Sequence, residues 1–392
     1  MSETPTAQAF TDHSLRLAQI ANPGVGYLKL QEARLRSRKG DQTLARDILQ
    51  EASRAHGLDP VVRTRILSEL GRVLDKLENY DEAYEAFSRS GVDASRNPEA
   101  RKFKLGYRPG LIKAYSEGLN SERLGKWKPG DLADGAWTPV FLVGFPRSGT
   151  TMTEQILAAH SGIVTLEEKP FVEDVRYEWA RIVGTNPDLG WMADQLDAAK
   201  ILHLRRFYRE KVEFERGAPI GPETVIDKLP LNIMHIGLID MVFPDAKVVV
   251  AIRDPRDACL SCFMQDFELN SAMIHFLSLE RAVEFYTQVM GAWLHFSKII
   301  SLPCLTVRYE DIVQNLEHES KRLIGFLGLD WEPGILQFHQ KAQKRVILTP
   351  SYAAVTKPVH TRAIGRWKNY TRQFSPLMAR LKPFIEEFGY QA

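Results

Sequence analysis

The stretch "VFLVGFPRSGTTMTEQIL", residues 140–157, reads as strand, loop and helix in immediate succession. Val140 to Val143 is an unbroken apolar run, as expected for a parallel strand covered on both faces. Gly144 and Gly149 open backbone conformations and close approaches that a side chain would block. Met152, Ile156 and Leu157 then form one helical face, with Thr150 and Thr151 at the helix start. A helix that begins directly after such a loop aims N–H groups and its dipole at the loop, which therefore suits an anion. The loop has the length of a nucleotide-phosphate loop, yet Thr150 stands where such a loop carries its lysine. Arg147 offers instead a planar fork matched to two oxygens of a phosphate or sulfate. A sulfuryl group carries less charge than a terminal phosphoryl group and needs less neutralisation by metal. The altered loop therefore favours sulfuryl transfer over the magnesium-dependent phosphoryl transfer of a Walker-type site.

Two further segments supply cations at strand ends. "VIDKLPLN" places Lys228 just after the apolar pair Val225-Ile226, and open α/β sheets bind ligands at the carboxyl ends of their strands. "AKVVVAIRDPRDACLS" reads as a strand ending at Arg253 and a helix that reaches Ser261. That eight-residue interval lets a guanidinium and a hydroxyl close on one phosphate. The plainer reading of Arg253 is an ion pair with Asp254 or Asp257.

Outside this region the chain changes character. From about residue 27 to 118 it is helical with almost no strand signal, and Leu67, Leu70, Leu74 and Leu77 make one apolar stripe. "LGRVLDKLENYDEAYEAFSRSG" carries Leu70, Gly71, Tyr80, Ala83 and Phe87 in the pattern of a tetratricopeptide repeat. Ala45, Leu49 and Pro60 form a weaker copy, each 38 residues before Ala83, Phe87 and Pro98. This region is either a docking surface for a protein partner or a helical cap that binds nothing. "ERLGKWKPGDLADGAWTP" reads as the linker. The expectation is an all-α, tetratricopeptide-like region over 1–120 and a catalytic α/β domain over 138–392, the latter a P-loop-like parallel sheet flanked by helices.

The 392 residues balance 51 Lys and Arg against 49 Asp and Glu, a net charge of +2 too weak for a general polyanion or nucleic-acid binder. The start has no basic segment followed by an apolar core, and no run of about 18 apolar residues suggests a membrane span. Three cysteines suggest a reducing, cytoplasmic setting. Cys259 and Cys262 form a C-x-x-C pair early in a helix, with only Cys304 to join them, so buried thiols are expected and no metal site.

The set P-R-S-G-T-T, D-K-L-P, R-D-P-R with a serine eight residues on, and G-R-W-K resembles the PAPS-dependent sulfotransferases. It is closest to bacterial sulfotransferases with tetratricopeptide repeats and to the protein-tyrosine sulfotransferases. The resemblance runs over roughly 138–390 and implies the sulfotransferase fold. It implies that Arg147, Ser148, Gly149, Thr150 and Thr151 hold the 5′-phosphosulfate of PAPS, and that Arg253 and Ser261 hold its 3′-phosphate. Tyr309 matches a nucleotide-contacting tyrosine. The segment "SYAAVTKPVHTRAIGRW" matches the C-terminal nucleotide loop of the tyrosine-sulfating branch from Ser351 through Arg366 and Trp367. Gln265 and Arg366 depart from that branch, which has arginine and lysine there.

The catalytic base also comes from the resemblance. The histidine that small-molecule sulfotransferases place before Leu-Pro is absent, because the chain reads Asp227-Lys228-Leu229-Pro230. The tyrosine-sulfating branch uses a glutamate 21 residues after the loop arginine, which is Glu168 here. Glu167 is its neighbour and Glu154 a further carboxylate on the loop's helix; His160 and His235 read as packing or surface residues on helices. The implied reaction is metal-free sulfuryl transfer from PAPS to an acceptor hydroxyl on a protein tyrosine, a glycan or a small molecule. Glu168 acts as base, Arg147 and Lys228 stabilise developing charge, and Ser351 adds a hydrogen bond. The alternatives are a P-loop small-molecule kinase and an inactive repeat-based scaffold.

Overall fold

The computed structural model describes residues 26–132, 134–342 and 361–391. The described residues divide into two compact units: one formed by residues 26–105 with Leu260–Ala282 and Trp367–Pro376, the other by residues 106–259, 283–342, 361–366 and 377–391.

The first unit is helical. Helices α1 (Gly26–Arg38), α2 (Gln42–Ser53), α3 (Pro60–Lys76) and α4 (Tyr80–Arg96) follow one another through short turns. Asp59 starts α3 by accepting the N–H groups of Val61 and Val62 at 2.9 and 3.1 Å, with Pro60 in the first turn where no donor is needed. Leu67, Leu70 and Leu74 are buried and Leu77 is half-buried, as their spacing predicts. A Cβ at Gly71 would sit 2.8 Å from the Phe87 ring, so the small residue is what lets α3 and α4 pack this closely.

The second unit is built on a five-stranded parallel sheet in the order β2-β3-β1-β4-β5. The strands are β1 (Val140–Gly144), β2 (Ile163–Leu166), β3 (Thr224–Lys228), β4 (Lys247–Ile252) and β5 (Cys304–Arg308). Helices α5 (Thr150–Leu157), α6 (Phe171–Val183), α7 (Ala198–Arg216) and α8 (Pro255–Phe263) lie on the connections, so the expected parallel sheet flanked by helices is present. All five residues of β1 are buried, and their side chains alternate between two cores. Val140 and Leu142 join Met152, Ile156, Ile226, Val249 and Leu323 on one face. On the other, Phe141 packs against Tyr208 and Phe243 with ring centroids 6.2 and 5.8 Å away.

Topology then positions the site. From β1 the chain runs to β2 and β3 on one side, then crosses to β4 and β5 on the other. The order therefore reverses beside β1, and in such a sheet the crevice outside the carboxyl ends at the reversal is where ligands bind. In register, Leu142 pairs with Lys228 and Gly144 with Ala251, so the ends of β3, β1 and β4 lie at one edge.

Candidate active site

The loop after β1 is held in a shape few sequences tolerate. Arg147 has φ 67°, a left-handed conformation uncommon for a residue with a side chain, and Gly149 follows at φ 93°. Ser148 N–H donates to the Phe145 carbonyl at 3.2 Å, closing the turn. A Cβ at Gly149 would lie 2.8 Å from the Tyr309 ring, and one at Gly144 would lie 2.3 Å from the Ala251 carbonyl oxygen. Both glycines are thus required by close approach as well as by conformation. Thr150 and Thr151 open α5 and are buried, as is Ser148, while Arg147 is half-buried. The loop residues fit an anion through backbone N–H groups and a helix N-terminus.

Lys228 ends β3 with a fully buried side chain. Its Nζ lies 2.7 Å from Glu168 Oε1 and 3.2 Å from Glu154 Oε2. The first contact is a hydrogen bond; the second is a charge contact whose alignment leaves both Glu154 oxygens without a hydrogen-bond partner among the described residues. Burial alone would lower the lysine pKa, and Glu154 and then Glu168 more than offset this, holding it above its ordinary value. Burial pushes the Glu154 carboxyl up to about 7, against the pull of Lys228. Glu168 differs: its side chain is 38% exposed, so this carboxylate alone of the two faces solvent. Next door, Asp227 is buried and pushed up to about 7 by desolvation, although the Tyr208 hydroxyl donates to it at 2.7 Å. That bond ties the end of β3 to α7.

Arg253 follows β4. Its Nη1 donates to the Arg147 carbonyl at 3.1 Å and its Nη2 to the Ala363 carbonyl. Its guanidinium lies 4.7 Å from the centre of the Tyr309 ring, so Tyr309 touches both the loop glycine and this arginine. The plainer ion-pair reading of Arg253 belongs instead to Arg256, which grips both oxygens of Asp254 at 2.9 and 2.8 Å. Asp257 accepts from the Gly365 N–H at 2.6 Å. Glu310 accepts from the Asp254 N–H at 3.1 Å and from the Tyr390 hydroxyl at 2.7 Å, fastening the turn that carries Arg253.

Of the other sequence candidates, Ser261 lies in the last turn of α8, while Arg366 and Trp367 open a short 3₁₀ helix at Arg366–Tyr370. Ser351 lies outside the described residues. Cys259 and Cys262 are buried as expected. His160 and His235 are packing residues, though neither sits within an α-helix. His160 follows α5 and bonds the Asp330 carbonyl at 2.8 Å, and His235 ends a 3₁₀ turn between Tyr115 and Glu173. Among the described residues no cluster of His, Cys, Asp or Glu could hold a metal, and no helix is long and apolar enough to cross a membrane. Sequence reasoning missed the partners behind the site, Glu310 and Tyr208, which carry no motif of their own.

Residues 139–333 match the Sulfotransferase family. An uncharacterized protein of Aquifex aeolicus is 26% identical over 323 residues, a match covering 80% of this chain; the chain spans only 40% of that protein's length. Protein-tyrosine sulfotransferase 1 of Danio rerio is 27% identical over 273 residues, covering 64% of this chain and 72% of the relative. Among solved structures, the sulfotransferase domain of the Synechococcus olefin synthase is similar at 18% identity and a TM-score of 0.39, over 59% of this chain and 87% of that domain. By sequence this chain is similar to the sulfotransferases, and residues 139–333 carry the similarity.

Proposed function

We propose that the protein is a PAPS-dependent sulfotransferase that moves a sulfuryl group onto an acceptor hydroxyl, with protein tyrosine the first acceptor to test. One observation carries the reading: Lys228 and the solvent-facing carboxylate of Glu168 meet at 2.7 Å beside the anion loop. In an in-line displacement the acceptor oxygen bonds to sulfur while the bond from sulfur to the 5′-phosphate oxygen breaks, releasing PAP. Glu168 takes the hydroxyl proton. A carboxylate has about four lone-pair sites, so holding Lys228 leaves room for an acceptor. Lys228 and Arg147 supply charge where the transferring oxygens and leaving phosphate become more negative. Of the three ammonium N–H groups of Lys228, one is held by Glu168, and the donor can draw on the others. Arg253 and Ser261 are read as the grip on the 3′-phosphate, and Tyr309 as a wall of the nucleotide site.

The tyrosine acceptor rests on the name of the Danio rerio relative. The helical unit is read as tetratricopeptide-like from the Gly71–Phe87 approach, and we give it a packing role. The cytoplasmic setting is carried over from cysteine usage. Thermal denaturation tests the donor: PAP should stabilise the fold, while ATP with magnesium and AMP should not. Labelled PAPS offered to tyrosine peptides, glycans and small phenols, with excess EDTA present, then identifies the acceptor. Turnover that requires added magnesium would move the reading to a kinase.

A further inference from the structure

We infer that Glu154 is a positioning residue: it is the buried partner that stays with Lys228, and it leaves Glu168 free to turn to the acceptor. The inference rests on the sulfotransferase reading above. Both members of the Glu154–Lys228 pair are fully buried at the side chain, whereas Glu168 is 38% exposed. An ammonium out of water needs a compensating charge at all times. With Glu168 as the sole partner, every turnover would require the base to abandon a buried cation. With Glu154 in place, the cation keeps a buried carboxyl partner whichever way Glu168 points.

Placement supports the same role. Glu154 sits on α5, the helix that opens at Thr150 directly after the anion loop, while Lys228 ends β3. Their contact therefore aligns the lysine with the loop. At 3.2 Å and out of hydrogen-bond alignment, it can tighten when Glu168 leaves. The charged groups facing Glu154 are Lys228 from β3 and Glu167 and Glu168 from the turn after β2.

The test compares the parent protein with Glu154→Gln and Glu154→Asp, using labelled PAPS and an acceptor that the parent sulfates. Glu154→Gln should lower kcat about tenfold, as expected for loss of an outer-shell partner. It should leave the KM for PAPS within about threefold, because the lysine remains in place. Glu154→Asp keeps the carboxyl and should recover most of kcat. An unchanged kcat in Glu154→Gln, or an aspartate variant as impaired as the glutamine one, would overturn the inference. So would loss of PAP-induced thermal stabilisation in Glu154→Gln, which would assign the residue to the integrity of the loop. If the parent transfers no sulfuryl group to any acceptor, the functional reading itself fails and this inference fails with it.

Discussion

The two flanks of the central strand treat their cations in opposite ways. At the end of β3, Lys228 is buried and answered by two carboxylates, with buried Asp227 beside it. At the end of β4, Arg253 meets carbonyl oxygens and an aromatic ring, and its Nε has no hydrogen-bond partner among the described residues. The carboxylates on that flank, Asp254 and Glu310, serve the turn instead. A cation already balanced by the fold suits chemistry, because its charge is held in place before substrate arrives. A cation left with neutral partners suits binding, because an incoming anion completes it. The first flank should therefore govern turnover and stability, the second affinity.

The largest effect is expected on the β3 flank. Glu168→Gln keeps size and hydrogen bonding but cannot accept a proton, so turnover should fall about 10²- to 10⁴-fold, the usual range for a general base. PAP affinity should barely change. Glu167→Gln, one residue away, should stay within a few-fold, as expected for a side chain outside the chemistry. Rates for both variants with one acceptor check this; equal losses would mean that the wrong carboxylate carries the reaction.

Next comes stability on the same flank. Lys228→Met strands Glu154 in the interior, and breaking a buried pair by removing one partner costs about 3–5 kcal/mol. Lys228→Met with Glu154→Gln should recover much of that loss while remaining inactive. Urea melts read both. The pH dependence has a definite sign. Burial raises the folded-state pKa of Glu154 to about 7, so its contribution is full below the ordinary carboxylate range and is lost as pH rises through about 7. The cost of Lys228→Met should thus grow towards alkaline pH. A loss that shrinks there would place the stranded charge elsewhere.

The smallest effect belongs to the β4 flank. Arg253→Ala should weaken PAP binding by about 1–3 kcal/mol, the range for charged hydrogen bonds, with AMP binding nearly unchanged. Calorimetry of the parent and variant with both ligands measures it. Equal affinity of the parent for PAP and AMP would remove the 3′-phosphate role from this flank.

Much of this was legible in the chain itself. The apolar run Val140–Val143, the glycines at 144 and 149 and the helical face from Met152 dictate strand, loop and helix, because each follows from local periodicity and backbone freedom. Lys228 and Arg253 were readable as strand-end cations for the same reason. The stripe Leu67, Leu70 and Leu74 likewise announces a buried helix face. Residues whose roles depend on partners distant in sequence were not readable in this way. Glu310 lies 56 residues from the Asp254 N–H it receives, and Tyr208 lies 19 residues from Asp227. Glu154 looked like one more carboxylate on a helix. Only the parallel pairing of β1 with β3, which sets α5 beside the end of β3, turns it into the buried partner of Lys228. Local sequence determines which elements form, because their energetics are short-range. Which charge is buried against which is decided by strand order, because desolvation and ion pairing act only between groups that tertiary packing has brought within a few ångströms.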